Sequence, residues 1–371
     1  MPYSPVAWCA RFRHRYSTRP LTWKVAMRRP IALVVIALGT LLLLLAPLLR
    51  WFVYPQVAVV PHDTETTTVS FGEDIRILDI AAVLAGRTAV ERVTDITSTR
   101  GTVSLVGELP ESASNDDVAV WHTVVNNADA RDMTISATES IVAFDRHTGA
   151  GVPGYNQAVN GEPVEHEGQI LKFPFGTEKR DYEFWDANIL ATQPAVYDGE
   201  EEIDGLTVYR FVQSIQPTVV DRLDVPGGLA GVDQDAVEVE RVYSNVRTLW
   251  VEPNTGVIIR GQEEQDSILR YEGEEIAKVT DGALVYTDET VASLIDEYSG
   301  TASQLNLIRN TLPLVALIAG LVLLAAGILL LRERGPRRAS GRHAESDSPD
   351  DSGGESDGAS ILDFERRERA G

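Results

Sequence analysis

Cysteine is nearly absent. Cys9 is the single one among 371 residues. It precedes the first long apolar run, so the central region has no disulfide, no thiolate metal ligand and no cysteine nucleophile. That region must be held together by its own core. Basic residues are scarce in it as well: residues 55–311 carry 17 Lys or Arg against 45 Asp or Glu, a net charge of −28 within a chain of −22. A field of that sign repels phosphate backbones, which excludes nucleic acid as a partner.

Catalytic signatures are missing too. His62, His122, His147 and His166 have no second histidine at the i+4 spacing that sets two ligands on one helix face. His166-Glu167 starts a zinc-protease pattern that nothing completes. There is no Gly-x-Ser-x-Gly elbow, and Gly227, Gly228 and Gly231 lie in a loop without the lysine of a phosphate loop. Asp198, Glu200, Glu201, Glu202 and Asp204 read as the solvated end of a hairpin rather than a calcium site, because alternate residues of an extended chain face opposite ways. No catalytic residue, cofactor or metal ligand is assigned, and no enzymatic activity is expected. A carboxylate pair assembled by folding is the catalytic arrangement that the sequence leaves open.

Two apolar runs without charge are present, 31–49 and 312–331, of 19 and 20 residues. At about 1.5 Å per residue, each is long enough to cross the roughly 30 Å hydrocarbon core of a bilayer as a helix. Arg28 and Arg29 precede the first, and Arg332, Arg334, Arg337 and Arg338 follow the second. Basic residues in those places put both termini in the cytoplasm and the acidic region outside. The first run exceeds the about 7–15 residues of a signal-peptide core, and Arg50, Trp51, Phe52 and Tyr54 follow it as an interfacial belt, so it reads as an uncleaved anchor. The expected division is a disordered basic cytoplasmic tail at 1–26, a transmembrane helix at 27–54, an extracytoplasmic β-rich domain at 55–286, a membrane-proximal helix at 287–310, a second transmembrane helix at 311–331, and a disordered cytoplasmic tail at 332–371. Met27 fits equally well as the start of translation.

Between the runs the hydropathy period is two. Thr67, Val69 and Phe71 share one face, and Val237-Glu238-Val239-Glu240 alternates apolar with charged. Turn signals recur too closely for crossover helices, which argues for antiparallel meanders. Two hairpins end alike, with Asp145 before Thr148-Gly149 and Glu252 before Thr255-Gly256. After Thr287 or Asp288 as a cap, Val291, Leu294, Ile295, Tyr298, Ala302 and Leu305 make one face of a stalk helix. In the second apolar run Ala316, Gly320 and Gly327 form a small-residue face suited to a neighbouring helix. The fold class expected is a membrane protein in which two transmembrane α-helices flank a large antiparallel β-rich extracytoplasmic domain, α+β in type.

Aromatic residues concentrate at 173–186. Phe173, Phe175, Tyr182, Phe184 and Trp185 lie close to Lys179 and Arg180. They either line an apolar ligand site with a cationic rim or pack as core, and both readings stay open.

The order of basic start, anchor run, the 173–186 segment and Gly205-Leu206-Thr207-Val208-Tyr209-Arg210-Phe211 resembles an actinobacterial family known as porin PorA-like. A count of 29 arginines against 4 lysines, which reads as GC-rich coding, agrees with such a source. The resemblance implies an envelope protein without an enzymatic mechanism, and it carries over no site residue. The overall plan also looks like that of class B scavenger receptors, whose outer domain passes lipid through an apolar tunnel, although the lack of outer cysteines sets this chain apart.

The function expected is therefore non-enzymatic: binding or transferring a lipid or other amphipathic molecule at the outer face of the plasma membrane. The alternative is a structural or scaffold protein of the envelope whose C-terminal tail recruits a cytoplasmic partner, and an extracytoplasmic hydrolase ranks third. The first reading requires a large apolar cavity, with Phe175, Tyr182 and Trp185 near its wall and the stalk helix beside its membrane end.

Overall fold

The chain opens on α1 (Arg28–Leu48), built from Leu, Val, Ile and Ala with no interior charge, and continues through a π-helical turn (Leu49–Val53) into the short α2 (Tyr54–Val57). The strands follow: β1 (Glu65–Leu78), then α3 (Ile80–Leu84), β2 (Glu91–Ser104), β3 (Val118–Asp129), β4 (Thr134–Asp145), β5 (Ala158–Val159), β6 (Glu162–Pro163), β7 (Tyr182–Asp186), β8 (Ala191–Ile203), β9 (Leu206–Pro226), β10 (Ala236–Val251), β11 (Ile258–Tyr271) and β12 (Glu274–Tyr286). The chain then runs through α4 (Asp288–Asn306), a second π-helical turn (Leu307–Thr311) and α5 (Leu312–Arg332), one unbroken helical rod of 45 residues. This computed structural model describes residues 28–61, 63–87, 89–105 and 117–332. The readings made of His62, of 1–26 and of 333–371 lie outside the described residues.

All twelve strands form one antiparallel sheet in the order β6-β5-β4-β3-β2-β1-β12-β11-β10-β9-β8-β7. It is two meanders joined where the first strand pairs with the last, Ser70 opposite Tyr286. Two-residue turns such as Asp204-Gly205 and Glu272-Gly273, with positive φ at both positions, make the neighbouring strands antiparallel. The sheet curls until its two arms meet. Gln169 is the joint: it bridges Ala150 on one side and Phe184 of β7 on the other, while Gly151 bridges Phe144 of β4. The hydrogen bonds of this seam are short, with Gln169 N donating to Glu183 O at 2.7 Å and Trp185 N donating to Gln169 O at 2.7 Å. A closed sheet leaves fewer unpaired edge groups than an open one of this width.

Thr287 caps α4 by accepting from Thr290 N, and Asp288 and Glu289 lie in the positive first turn. The buried face of α4, Val291 and Leu294 with Ile295 and Tyr298 beside them, packs on Ile203, Val208 and Ile259 of the sheet. The two long helices are apolar enough to cross a membrane and lie against each other. Their contact runs through small residues. A Cβ added at Gly320 would sit 2.8 Å from Leu43 Cγ and 2.9 Å from Gly39 O, and one added at Gly39 would sit 2.8 Å from Leu324 N. The π-helical turns meet just above: Arg50 Nη1 donates to Arg309 O at 2.9 Å and to Asn310 Oδ1 at 3.2 Å. A π turn interrupts the regular ladder, and the Arg309 carbonyl takes this partner from the opposite helix.

Gly320→Leu is expected to force α1 and α5 apart, at a cost of about 1–3 kcal/mol for overpacking. The check is the yield of a disulfide between cysteines introduced on the two helices beside Gly320; an unchanged yield would remove the packing argument.

Candidate functional site

The curled sheet encloses a cavity of about 380 Å³. Its wall takes every second residue of a strand: Ser136, Thr138, Ser140 and Val142 on β4, and Gly261, Glu263, Gln265 and Ser267 on β11. At about 3.4 Å per residue the cavity follows the strands for roughly 20 Å. Thr68, Ser70, Ser98, Thr123 and Asn127 add hydroxyl and amide groups from β1, β2 and β3. Ile77, Ile96 and Ile135 form one apolar patch, and Val142, Ile170, Phe184, Leu249 and Ile258 form another.

The wall is thus half polar, where the sequence led us to expect an apolar one. Strand phase is the reason. In β4 the half-buried hydroxyl residues Thr138 and Ser140 line the cavity, with the exposed Ser136 at the same wall, while Ala137 and Glu139 are exposed and do not line it. Nor does the stalk helix α4 contribute a residue to the wall.

The five aromatic residues divide. Phe184 and Trp185, consecutive on β7 at the seam, both line the cavity. Phe173 and Tyr182 are buried in a neighbouring ring cluster, with Phe173 stacked on Phe211 at 4.6 Å and edge-on to Tyr182 at 5.3 Å. Phe175 is half-buried beside the cluster of Trp121, Phe144 and Trp185, under the Lys172 amine at 3.9 Å from its ring centre. The histidines stay apart. His166 Nδ1 bonds Gln157 at 2.9 Å beside Trp185 and lines the cavity, His147 Nδ1 reaches Ala58 O at 2.9 Å, and His122 pairs with Glu139 at 2.7 Å.

Charged groups in the cavity wall were not singled out from the sequence. Arg247 of β10 holds Asp186 at 2.9 Å, Glu263 at 2.8 Å and the Gln213 amide oxygen at 2.8 Å, and Tyr243 donates to Asp186 at 3.4 Å. Burial acts to raise the Glu263 pKa. The charge and hydrogen bond of Arg247, with smaller help from Arg100 and Gln265, outweigh it and bring the carboxyl down to about 2. The available signal was phase: Tyr243, Asn245, Arg247, Leu249 and Val251 share one face of β10, and an arginine among such residues belongs inside.

The two similar hairpins adjoin the lining residues Val142 and Ile258. Asp145 accepts from His147 N, Thr148 N and Thr148 Oγ1, and Glu252 accepts from Asn254 N, Thr255 N and Thr255 Oγ1, so each carboxylate closes its turn in the same way. The segment 173–176 is laced between them: Phe173 N donates to Gly256 O, Phe175 N to His147 O and Gly176 N to Asn254 O. Lys172, just before it, is buried, and its Nζ has no hydrogen-bond partner. Burial pulls this amine down to about 7, with the Asp145 charge opposing.

A curled antiparallel sheet around a cavity, continued into two helices apolar enough to cross a membrane, defines the structural class. Comparison with known proteins gives the class a family: residues 31–329 match the family model Porin PorA, and the chain belongs to that family. It is similar to Porin PorA of Corynebacterium resistens, 26% identical over 420 aligned positions that cover 86% of this chain and 100% of the relative. It is also similar to Porin PorA of Corynebacterium amycolatum, 26% identical over 298 positions covering 64% of this chain and 77% of the relative. Porins are non-enzymatic proteins of the cell envelope, and family membership assigns the chain to that broad class.

Arg247→Met should cost about 3–5 kcal/mol in chemical denaturation, because it strands the Asp186 and Glu263 carboxylates inside. A loss below about 1 kcal/mol would mean that the cluster behaves as a surface pair. Lys172→Met should act the other way and stabilise by about 1–3 kcal/mol, since it removes a buried amine that has no hydrogen bond while keeping an apolar side chain against Phe175. The folded-state pKa of Lys172 is about 7 against an ordinary 10.5, so its penalty is complete below pH 7 and fades as pH rises toward 10.5. The gain measured at pH 6 should therefore exceed that at pH 10, and an equal gain at both would contradict the assignment.

Proposed function

We propose that this chain is an envelope protein that spans the plasma membrane with α1 and α5, carries its sheet on the outer side, and binds or passes an amphipathic molecule in the sheet cavity. The enclosed volume is the observation that carries the reading. It lies in the range of small-molecule sites, and its wall combines two apolar patches with a hydroxyl-rich face. A scaffold alone has no need of such a space, since unfilled interior volume destabilises a fold. The basic residues favour the orientation: Arg29 and Arg332 stand at one end of the helix pair, and Trp51 and Phe52 are exposed near the other, where an interfacial belt belongs. The scavenger-receptor plan, two anchors and a strand-rich outer domain, agrees at the level of architecture only.

A second reading has its own support. The relatives are named porins, and a wall of Ser136, Thr138, Ser140, Ser98 and Thr68 suits small polar solutes as well as head groups. In that reading the same cavity is a segment of a channel.

Mass spectrometry of protein released under mild conditions distinguishes them. The first reading expects a co-purifying lipid or other amphiphile near one per chain, the second none, with conductance across a planar bilayer instead. Trp185→Ala is a poor probe, because Trp185 is buried in a core cluster and its loss would cost about 3–5 kcal/mol. Thr138→Trp fills the cavity without deleting packing and should abolish the retained ligand or the conductance while the fold persists. Full retention in Thr138→Trp would move the ligand out of the cavity.

A further inference from the structure

Two arginines flank the apolar spans on the side of the sheet. α1 and α5 are each 21 residues long, about 31 Å at 1.5 Å per residue, which matches the roughly 30 Å hydrocarbon core of a bilayer. Arg50 and Arg309 lie in the π-helical turns that adjoin those helices, so both stand at the level of lipid head groups. In the orientation proposed above this is the outer side, where the flanks of a span are ordinarily poor in basic residues.

The fold brings the two together. Arg50 Nη1 donates to Arg309 O at 2.9 Å and to Asn310 Oδ1 at 3.2 Å. The Arg309 guanidinium lies 5.3 Å from the centre of the Tyr54 ring, one turn after Arg50, and both charges act on the Tyr54 hydroxyl. Arg309 is half-buried and wedged between Tyr54 and Gly176, so its direction is set by the protein. Arg50 is exposed, and the two hydrogen bonds from its Nη1 leave three of its five N–H donors free.

Neither arginine has a carboxylate partner among the described residues. In the same acidic domain Arg92, Arg210, Arg247 and Arg270 each meet an Asp or Glu. Glu252 is the one carboxylate whose charge also reaches the Tyr54 hydroxyl. It is buried, and both its oxygens are taken by Asn254 and Thr255 of its own turn. Two positive charges against one negative leave the place net positive.

Resting on the membrane orientation proposed above, and independent of the cavity, we propose that Arg50 and Arg309 bind the phosphate of an anionic phospholipid in the leaflet beside the sheet. A phosphodiester offers acceptors only, and the arginine fork matches it. A zwitterionic lipid brings its own cation to a site that is already positive, so the preferred head group carries net negative charge. Trp51 and Phe52, 74% and 65% exposed, stand next to Arg50 where the glycerol and the upper acyl chain of such a lipid lie.

The test places the full chain in nanodiscs of equal phosphatidylglycerol and phosphatidylcholine and reads, by native mass spectrometry, which lipid stays bound on release. Phosphatidylglycerol should be retained over phosphatidylcholine by about fivefold or more, the size of one basic residue's attraction to an anionic surface. Arg50→Gln should lower that preference by about fivefold and Arg50→Lys should keep most of it. Thr138→Trp, which alters the cavity, should leave the preference unchanged. Equal retention of the two lipids by an inserted chain would overturn the head-group site and leave the cavity reading standing. A preference lost in Thr138→Trp and kept in Arg50→Gln would assign the lipid to the cavity and overturn the site. Displacement by inorganic phosphate in excess would overturn the lipid class in favour of a free anion. Failure of the folded chain to enter nanodiscs would bring down the site and the membrane orientation together. Should Arg50→Gln misfold, a photoreactive phosphatidylglycerol decides on the unmodified chain: it should label 49–54 and 307–311, and labelling confined to other segments would overturn the proposal.

Discussion

The pairing of β1 with β12 is the constraint on which the rest depends. It places the first strand of the domain against the last, so the helix that leads in and the helix that leads out meet at one end of the sheet. The junction is stitched by few groups: Thr287 N donates to Val69 O, Thr290 Oγ1 donates to the same oxygen, and Val69 N donates to Thr290 Oγ1. From there the long rod descends along the sheet and alongside α1, and the close approach at Gly39 and Gly320 becomes possible. Two separate apolar helices gain little from each other in lipid, where no hydrophobic force drives them together. Held at their upper ends by the sheet, they lose less freedom on packing.

Much of this plan was legible in the amino-acid sequence, because the relevant signals are local. The run 31–49 became α1 and its π-helical turn, and 312–331 became α5 one residue longer. Thr287 caps the stalk as its position suggested, and the apolar spacing from Val291 to Leu305 marks the buried face. The matching turns at Asp145 and Glu252 were visible as words in the sequence, since an acidic residue three before a threonine can take that threonine's N–H and hydroxyl. The direction of the strands followed from short connections. What did not follow was closure. The seam at Gln169 is made by a residue outside any long strand, and no pattern of period two announces it.

The cavity was the least legible part, for a physical reason. Alternation says that two faces differ, and it does not say which is inside once a sheet curls around a space. The reading of apolar as inward holds for Ile75, Ile77 and Ile96, which are buried. It fails for Thr138 and Ser140, where the cavity face carries hydroxyls and the outer face carries Ala137 and Glu139. The aromatic segment shows the same ambiguity residue by residue: in a strand as short as β7, Phe184 and Trp185 point to opposite faces, yet both border the space because the seam bends the chain there. Arg247 was hidden because an arginine in an acidic domain looks solvated; its three acceptors, the buried Asp186 and Gln213 and the half-buried Glu263, come from β7, β9 and β11, which only the fold brings together.

The segment between the two hairpins ties the cavity wall to the helices. The segment 173–176 is bonded to both Thr-Gly turns, and a Cβ at Gly256 would overlap the Phe173 carbonyl, so the backbones there are in direct contact. On its other side the Arg309 guanidinium lies against Gly176, where a Cβ would overlap it, and Arg309 in turn receives the Arg50 side chain from the opposite helix. Phe173 stacks on Phe184, which is already cavity wall, at 5.4 Å. A continuous path of close contacts therefore joins the two π-helical turns to the lining of the cavity.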